Sequence, residues 1–320
     1  MIFLTDSEVE QLLPPAQVVS IIEAAMRYDE THTGSVPQRM HLQHDQNTVL
    51  VMPAVGENFY GTKVVSVYPE NAAAGKPLIS GYYVLNSRVD GAPVAVMSAE
   101  KLTAIRTGGI GGAAAKALAN STTTVFGVIG CGVQGRSAAK CILSVLPVKK
   151  IVCFSRTEKS TLEFKSAIQK SFPDVEVQLC ENSEAVINQA DVIVTATNSP
   201  KPIFDAKKVK TEGKVFIAMG SYRPQMQELP DEVFQQCREI IIDATGIKKE
   251  TGDILNAISN GWVKDEDVFT LGRILKGDRE SISKTKVFKS AGYALFDLFV
   301  AEEIYNCALK QGVGRKIEFK

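Results

Sequence analysis

Residues 123–146, TTVFGVIGCGVQGRSAAKCILSVL, decide the fold. An apolar run of strand type ends at Gly130, and a helical pattern opens directly behind a GxGxxG turn. In this context Gly130 permits a tight turn, Gly132 lets the backbone approach a pyrophosphate, and Gly135 lets the helix pack closely on the strand. The amide groups and the dipole of the helix N-terminus favour the anion. The stretch therefore predicts a dinucleotide-binding turn, which is made of Gly130, Cys131, Gly132, Val133, Gln134 and Gly135.

The segments behind this turn alternate between strand and helix up to about residue 250. Helical patterns cover 158–171 and 183–189, and the strand-like runs are KKIVCFSR, VEVQLC, ADVIVTAT, KVFIAMGS and EIIIDAT. Such alternation predicts an α/β fold, with a Rossmann-type doubly wound parallel sheet covered on both faces. The last 70 residues are helical in pattern. We expect 285–312 to leave the nucleotide domain and pack on the N-terminal part of the chain.

The end of the second strand of this domain bears on which dinucleotide binds. NAD-binding folds usually place Asp or Glu there, to accept a hydrogen bond from the ribose 2′-hydroxyl. Here the residues are Ser155, Arg156 and Thr157, and none is acidic. Arg156 is able to stack on adenine and pair with a 2′-phosphate, which favours NADP(H). An ordinary solvated arginine, with NAD(H) accepted, is the alternative.

The first hundred residues predict a mixed α+β region with a largely antiparallel sheet. Four short apolar runs lie at 50–56, 62–69, 80–87 and 92–98, and Asp90-Gly91 is a hairpin signal between the last two. Residues 99–119 then predict a helix rich in Ala and Gly. Glycines in a helix interior cost roughly 0.5–1 kcal/mol each, so something must approach that backbone closely. Tight helix–sheet packing and a bound ligand both fit this pattern.

Composition and charge exclude several classes of function. The chain has 320 residues, of which 45% are hydrophobic and 22% charged, and the charges balance at 36 − 36 = 0. This balance gives no electrostatic reason to expect nucleic acid or an anionic membrane as a partner. No apolar run has the length of a membrane span. The six cysteines form no CxxC pair and the three histidines have no cluster of metal-ligand type around them, so we expect a cytoplasmic protein with reduced thiols and no metal.

Three cations of the first hundred or so residues are candidates for binding an anionic substrate. They are Arg39, Lys63 and Arg106. Lys63 lies within a predicted strand and Arg106 lies on the glycine-rich helix. A charged residue inside an otherwise apolar element is costly unless it is paired. A structural ion pair is therefore the alternative for each of them.

The chain resembles the ornithine cyclodeaminase/mu-crystallin family over essentially its whole length. The resemblance is carried by residues 61–107 and continues through GVIGCGVQG, TATNSPKPIF, MGSYRPQMQEL, KETGDIL and TKVFKSAGYALFDLFVAEEIY. It implies a homodimer in which a nucleotide-binding domain is inserted into a substrate-binding and dimerisation domain. With these motifs, the predicted boundaries are 1–118 plus 293–320 for the substrate domain and 119–292 for the NAD(P)-binding domain.

The resemblance also implies roles for individual residues. Arg39, Lys63 and Arg106 would line a pocket for the carboxylate of an amino or imino acid, with Lys63 and Arg106 as the catalytic pair. A guanidinium grips a carboxylate through two hydrogen bonds, which agrees with this role. Asp297 matches a family acid, although a helix-capping or ion-pair role fits equally well. The remaining positions near the cofactor would be Thr197, Ser199, Ser290 and Gly292.

Members of the family share hydride transfer at the α-carbon of an amino or imino acid. The sequence favours an NAD(P)H-dependent reductase of cyclic imino acids, such as Δ1-pyrroline-2-carboxylate or Δ1-piperideine-2-carboxylate. The alternatives are a dehydrogenase of an acyclic amino acid (alanine, arginine or an N-carboxyalkyl amino acid), an ornithine cyclodeaminase, and a non-enzymatic binding protein of mu-crystallin type. Cyclodeaminases carry Asp in a Gly-x-Asp-x-Pro-x-x-x-Glu-Leu stretch, and this chain has Tyr222 at that position. Tyr222 would donate a hydrogen bond to the substrate or fill the pocket wall.

Overall fold

The computed structural model describes residues 1–32, 36–72 and 74–318. The chain divides into two compact units, one made of Met1–Arg106 with Ala294–Lys320 and the other of Thr107–Tyr293. The first division falls inside a helix, Ala99–Leu118, and not at its end, where we predicted the boundary. The α/β class with a parallel sheet is confirmed. The roles that we assigned to the two domains stay predictions.

The first unit is built on a seven-stranded sheet of order β15-β1-β6-β5-β4-β3-β2. Its central strands pair antiparallel, as predicted, and the β5–β6 pair carries the expected hairpin turn at Asp90-Gly91. Only β1 beside β6 is parallel among the pairs of this sheet that the structure describes. The strands are β1 (Ile2–Leu4), β2 (Met40–His44), β3 (Asn47–Val55), β4 (Phe59–Val67), β5 (Ile79–Ser87), β6 (Pro93–Ser98) and β15 (Arg315–Lys316).

Four helices begin in this unit, and one of them crosses its boundary. They are α1 (Asp6–Gln11), α2 (Pro15–Asp29), α3 (Ala99–Leu118) and α10 (Ala294–Gln311). At the start of α1, the amide and the hydroxyl of Thr5 both donate to Glu8 Oε2, at 2.8 and 2.7 Å. Alternate residues of β4, among them Gly61, Lys63 and Val65, are buried. Asp297 of α10 bonds Lys63, so α10 covers this face of the sheet.

The second unit is built on an eight-stranded sheet of order β13-β12-β14-β11-β10-β7-β8-β9. Every pair in this sheet is parallel over the residues described. The chain runs outward from β7 to β8 and β9, then returns to place β10 on the other side of β7. The strands are β7 (Val125–Ile129), β8 (Lys150–Phe154), β9 (Glu176–Leu179), β10 (Val192–Thr195), β11 (Val215–Ala218), β12 (Ile240–Ile242), β13 (Val268–Thr270) and β14 (Lys286–Lys289).

Helices connect these strands, and the central strands are fully buried. All four residues of β10 and of β11 are buried, which is typical of a parallel sheet covered on both faces. The helices are α4 (Val133–Leu143), α5 (Glu158–Ser171), α6 (Ser183–Gln189), α7 (Asp231–Gln236), α8 (Gly252–Ser259) and α9 (Leu271–Lys276). Within the part of the chain that the structure describes, no helix combines the length and hydropathy of a membrane crossing.

The helical interpretation of the last 70 residues was wrong for two segments. Val268–Thr270 and Lys286–Lys289 are the strands β13 and β14 of the parallel sheet. β14 lies between β11 and β12, so it is an interior strand. Such short apolar runs have no periodicity of their own, and only the pairing with neighbouring strands makes them strands.

The glycines of α3 allow close packing against another helix. A Cβ at Gly108 would collide with Ser137 Oγ, and one at Gly111 would lie 3.2 Å from the Cβ of Ala138. Both neighbours belong to α4, which carries the predicted dinucleotide turn at its N-terminus. Of the two explanations that the sequence left open, close packing accounts for these two glycines, with a helix and not the sheet as the partner.

Candidate active site

The glycine turn between β7 and α4 has the geometry that its spacing predicts. Gly130 has a φ of +101°, a region that favours glycine, and a Cβ there would collide with the carbonyl oxygen of Ala196. A Cβ at Gly135 would collide with the carbonyl oxygen of Gly130. The first and third glycines of the motif are therefore required by the packing of the turn itself.

The second glycine of the motif leaves open space instead. A Cβ at Gly132 would meet nothing within 4 Å among the residues that the structure describes, so none of their side chains fills the place in front of this backbone. Gly132 is also the N-cap of α4, and no side chain caps the helix there. Nearby, Gln134 Oε1 is buried without a hydrogen-bond partner among the described residues, while Val133 is 55% exposed. An uncapped helix start behind an open glycine fits a pyrophosphate.

The loop behind β8 holds the three residues predicted to face the adenosine ribose. Ser155 is half-buried, whereas Arg156 and Thr157 are exposed. Thr157 is the N-cap of α5, and its hydroxyl contacts Ser160 Oγ at 2.7 Å. Arg156 thus follows β8 at the position where NAD-binding folds use Asp or Glu.

The loops behind β10 and β11 are joined by a carboxylate that the sequence analysis missed. Thr197 donates to Glu228 Oε1 from its amide at 2.8 Å and from its hydroxyl at 2.7 Å. Ser199 sits two residues farther on, with its amide bonded to Thr197 Oγ1 at 3.2 Å and its hydroxyl to the Lys201 carbonyl at 2.6 Å. The predicted Thr197 and Ser199 thus lie in one ordered loop at the carboxyl end of β10.

The turn behind β14 is likewise held by a buried acid. Ser290 Oγ donates to Asp243 Oδ2 at 2.5 Å, and the Gly292 amide donates to the same oxygen at 3.0 Å. Gly292 has a φ of +78°, which explains glycine at this position. Ser290 and Gly292 therefore share one turn at the carboxyl edge of the sheet, as Thr197 and Ser199 do behind β10.

In the first unit, two of the predicted cations share one buried carboxylate. Lys63 Nζ donates to Asp297 Oδ2 at 2.7 Å, and Arg106 Nε donates to Asp297 Oδ1 at 3.1 Å. All three side chains are at least nine-tenths buried. Lys63 also donates to Thr103 Oγ1 at 3.3 Å. Among the described residues, the two terminal nitrogens of Arg106 take no protein partner, which leaves a planar pair of donors.

The surroundings of Lys63 shift its proton affinity into the physiological range. The pKa of Lys63 is lowered from 10.5 to about 8, and burial is the largest cause; the positive charges of Arg106 and Arg39 act in the same direction, whereas Asp297 opposes them. Arg39 is half-buried and lies near enough to act on Lys63. The structure thus brings the three predicted cations of the first unit together.

A buried tyrosine that the sequence analysis missed lies beside Lys63. Tyr83 of β5 stands directly opposite Lys63 in the antiparallel register. Its hydroxyl is buried without a partner among the described residues, and a Cβ at Gly61 would collide with it. Burial and the charge of Asp297 raise its pKa well above the usual value, so the phenol stays protonated. No local sequence signal marks Tyr83, because its position opposite Lys63 depends on the register between β4 and β5.

Tyr222 lies in the second unit, behind β11. It is 39% exposed, and the guanidinium of Arg223 lies 5.3 Å from its ring centroid. The three cations belong to the first unit. The substrate-facing role of Tyr222 therefore stays a prediction.

The chain is similar to several known proteins over its whole length. The sequence profile described as the ornithine cyclodeaminase/mu-crystallin family matches residues 1–312. Δ1-Pyrroline-2-carboxylate reductase of Bacillus cereus is 34% identical over 328 residues, and the match covers 100% of both chains.

Two solved structures share the whole fold. That of Thermococcus litoralis Δ1-pyrroline-2-carboxylate reductase, in complex with NADH and L-proline, has a TM-score of 0.91 at 28% identity and covers 99% of this chain and 100% of its own. An archaeal alanine dehydrogenase dimer with bound NAD has a TM-score of 0.91 at 33% identity, and the match covers 100% of this chain and 99% of the dehydrogenase chain. The resemblance stated from the sequence motifs is confirmed, and the chain belongs to the ornithine cyclodeaminase/mu-crystallin family.

Proposed function

We propose that this protein is an NAD(P)H-dependent reductase of cyclic imino acids of the Δ1-pyrroline-2-carboxylate type. The observation that carries the proposal is the buried cluster in which Lys63 and Arg106 share the single carboxylate of Asp297. Two cations against one anion leave an excess positive charge in a poorly solvated place. A substrate carboxylate would balance that charge, which is why an α-imino acid fits better than a neutral carbonyl compound.

The relatives support the same chemistry. The B. cereus protein, which aligns along the entire chain, is a Δ1-pyrroline-2-carboxylate reductase, and the T. litoralis enzyme was solved with NADH and L-proline. Proline is the product of reducing Δ1-pyrroline-2-carboxylate at its C=N bond. The acid, the ring nitrogen and the reduced carbon of that product are the three features the proposed reaction requires.

Arg106 would hold the substrate carboxylate through its terminal nitrogens, since Asp297 engages only its Nε. Arg39 would add a second donor from its half-buried position. Asp297 would keep Lys63 and Arg106 in place, because both side chains are anchored to its two oxygens. Most of the rate would then come from orientation and electrostatic stabilisation.

Reduction of the imine needs a proton on nitrogen and a hydride on carbon. The Gly130–Gly135 turn and the loops behind β8 and β10 would hold the nicotinamide cofactor, which would supply the hydride. Lys63, with a pKa of about 8, would hold a proton near the imine nitrogen at neutral pH and transfer it to that nitrogen as the hydride reduces the C=N bond. The neutral amine of Lys63 would then be reprotonated from solvent.

We further propose that NADP(H) is preferred over NAD(H). The support is Arg156, which is exposed directly behind β8 and whose two neighbours, Ser155 and Thr157, are not acids that would accept from the ribose 2′-hydroxyl. The named complexes of the relatives contain NADH and NAD. The preference therefore rests on the chemistry of this chain alone.

We also propose that the protein works as a homodimer. The sheet face opposite α10 carries a band of exposed apolar side chains, which includes Met40, Leu42 and Tyr82 at 51%, 57% and 50% exposure. Monomeric proteins rarely leave such a band uncovered. A second copy of the chain is the occupant that fits best, since an archaeal alanine dehydrogenase of this family fold was solved as a dimer.

An oxidation assay of the cofactor tests the proposed reaction. NADPH and NADH should lose their absorbance with Δ1-pyrroline-2-carboxylate or Δ1-piperideine-2-carboxylate, and proline or pipecolate should accumulate in equal amount. Pyruvate with ammonia serves as the comparison substrate. Turnover with pyruvate and ammonia, without turnover of either cyclic imine, would contradict the proposal and favour the second candidate.

That second candidate is an alanine dehydrogenase, which the archaeal relative supports with 33% identity and a TM-score of 0.91. The cation cluster would hold the carboxylate of pyruvate or alanine in the same way. The two candidates differ in whether the nitrogen arrives within the substrate ring or as ammonia, so the assay above separates them.

A further inference from the structure

Glu228 is a completely buried carboxylate that joins two loops of the second unit. Its Oε1 accepts the amide of Thr197 at 2.8 Å and the hydroxyl of Thr197 at 2.7 Å. Its Oε2 accepts the hydroxyl of Thr195 at 3.0 Å and the amide of Gly220 at 2.6 Å. One side chain therefore receives four donors, from the carboxyl end of β10 and from the loop behind β11.

The two loops lie so close together that only glycine fits at the contact. A Cβ at Gly220 would collide with the carbonyl oxygen of Thr197 and with Glu228 Oε1. The next residue, Ser221, is completely buried and donates its hydroxyl to Asp253. The backbone behind β11 is thus fixed both from the β10 side and from α8.

A second carboxylate and a lysine extend the connection to a third strand. Asp253 Oδ1 accepts the amides of Glu228 and Leu229, each at 3.2 Å. Lys289, at the end of β14, lies with Nζ 3.9 Å from Asp253 Oδ2 and donates to the Ala218 carbonyl at 3.2 Å. Glu228, Asp253 and Lys289 have no exposed surface. Together they tie the carboxyl ends of β10, β11 and β14.

These strand ends have a specific place in a doubly wound sheet. The turn behind β7 and the loop behind β8 belong to the first half of the sheet, which takes the adenosine and the pyrophosphate. The second half contains β10, β11 and β14, and its carboxyl ends take the other nucleoside. Glu228 thus contacts the loops of the nicotinamide half, and its four donors all belong to the ends of β10 and β11.

A second buried glutamate in the same sheet, Glu239, allows a comparison with Glu228. Glu239, directly before β12, is also buried and accepts hydrogen bonds from Ser281 Oγ and from the amides of Ile282 and Ser283. It lies at the amino end of its strand, away from the ligand-binding edge. Glu239 therefore represents a buried carboxylate that serves the fold, whereas Glu228 stands at the edge where the cofactor binds.

We propose that Glu228 is a positioning residue, which fixes the loops behind β10 and β11 so that the nicotinamide ring is held in one reactive orientation. The inference rests on the cofactor class of the proposed function. It adds a residue that acts through Thr197 and Gly220, without touching the cofactor itself. Small displacements of such loops are costly, since a misplacement of about 1 Å lowers a rate on the order of a hundredfold.

The Glu228→Gln variant tests this role, with Glu239→Gln as the matched control. Glutamine keeps the size of the side chain, but its amide nitrogen faces a donor and releases one of the two loops. ADP-ribose, which lacks nicotinamide, and NADH are titrated separately by calorimetry. For Glu228→Gln we expect an unchanged Kd for ADP-ribose, an approximately tenfold higher Kd for NADH, and a kcat about a hundredfold lower at an unchanged KM for the imino acid.

Glu239→Gln should leave both Kd values and kcat at the wild-type level, because the glutamine carbonyl oxygen is able to accept the three hydrogen bonds of Oε1. Equal weakening of ADP-ribose and NADH in Glu228→Gln would overturn the proposal, and so would a lower Tm with unchanged NADH binding and kcat. A wild-type protein that binds NADH but reduces no cyclic imine would contradict the proposed substrate, while the difference between the two ligands would still decide the role of Glu228.

Gly220→Ala provides an independent test if Glu228→Gln does not fold. The added methyl group forces the loop behind β11 away from Thr197 without changing any charge. We expect the same selective loss of NADH binding against ADP-ribose. A Gly220→Ala protein that folds and binds both ligands as the wild type does would overturn the proposal.

Discussion

Lys63 and Asp297 form a buried ion pair at 2.7 Å between residues that are 234 positions apart in the chain. The pair ties β4 to α10, and the other oxygen of the same carboxylate holds Arg106 of α3. Asp297 thus brings two cations to one point and leaves them with one negative charge between them. This surplus of positive charge is the basis on which we assign the binding of a carboxylate to the first unit.

The pH dependence of catalysis should follow the proton on Lys63. Its pKa of about 8 lies below that of a free lysine, so Lys63 is protonated below that pH and neutral above it. Imine reduction consumes the proton, and kcat/KM should therefore be flat at neutral pH and fall as the pH rises through about 8. The profile of kcat/KM reports groups of the free enzyme.

Lys63→Arg shows which group causes that decline. An arginine keeps its charge throughout this range but does not give up a proton, so the rate should fall strongly and the limb near pH 8 should disappear. A limb that stays at the same pH in Lys63→Arg would assign it to the imine itself and refute the role of Lys63.

Arg106 should act on the substrate more than on the fold. Arg106→Ala removes the planar donors and should lower kcat/KM for Δ1-pyrroline-2-carboxylate. The lost transition-state stabilisation should be about 3–5 kcal/mol, the cost of removing the partner of a desolvated charge. Asp297 keeps Lys63 as a partner in this variant, so the protein should fold and bind NADH as the wild type does. A decrease in NADH affinity equal to the decrease in kcat/KM would return Arg106 to a structural role.

Asp297→Asn gives the matching result for stability. Without its charge, Lys63 and Arg106 would face each other in a buried place, and the free energy of unfolding should fall by roughly 3–5 kcal/mol. Thermal or denaturant unfolding measures this loss. If Asp297→Asn were as stable as the wild type, the buried pairs would not be the anchor that we describe.

The sequence indicated most of the second unit because its signals are local. A GxGxxG turn and alternating apolar segments each lie within a few tens of residues, and they predicted the sheet from β7 to β12. β13 and β14 were missed because three or four apolar residues, such as Val268–Thr270, become a strand only through their neighbours in the sheet.

The residues of the candidate site also differ in whether a local signal in the sequence marks them. Lys63 and Arg106 were identifiable because charges inside apolar elements stand out, but their shared partner Asp297 is remote in sequence and only the fold brings it near. Glu228 was missed although it lies in MGSYRPQMQEL, one of the stretches that carry the family resemblance. A glutamate in a loop between two elements is usually exposed to solvent. The burial of Glu228 depends on hydrogen bonds from Thr197 and Gly220.

Arg156 should determine the choice between the two nicotinamide cofactors. Arg156→Ala removes the exposed cation behind β8 and should raise the Kd of NADPH about tenfold or more, whereas the Kd of NADH should change by about twofold at most. Fluorescence titration of both cofactors on both proteins measures the difference. A wild-type preference for NADH, or equal losses for the two cofactors, would show that the 2′-phosphate does not bind at Arg156.

Finally, L-ornithine should not be converted to proline at an enzymatic rate. Cyclodeamination needs a base beside the reacting amine, and the position at which the resemblance places that Asp is occupied here by Tyr222. A phenol is a poor base at neutral pH compared with a carboxylate, and Tyr222 is 39% exposed, with the guanidinium of Arg223 5.3 Å from its ring centroid. Incubation of the protein with ornithine and NAD, followed by assays for ammonia and proline, measures the activity, and the imine reductase assay on the same preparation shows that the protein is active. Proline formation at about 1 s⁻¹ or faster would show that another group supplies the base and that Tyr222 does not mark the difference between the two reactions.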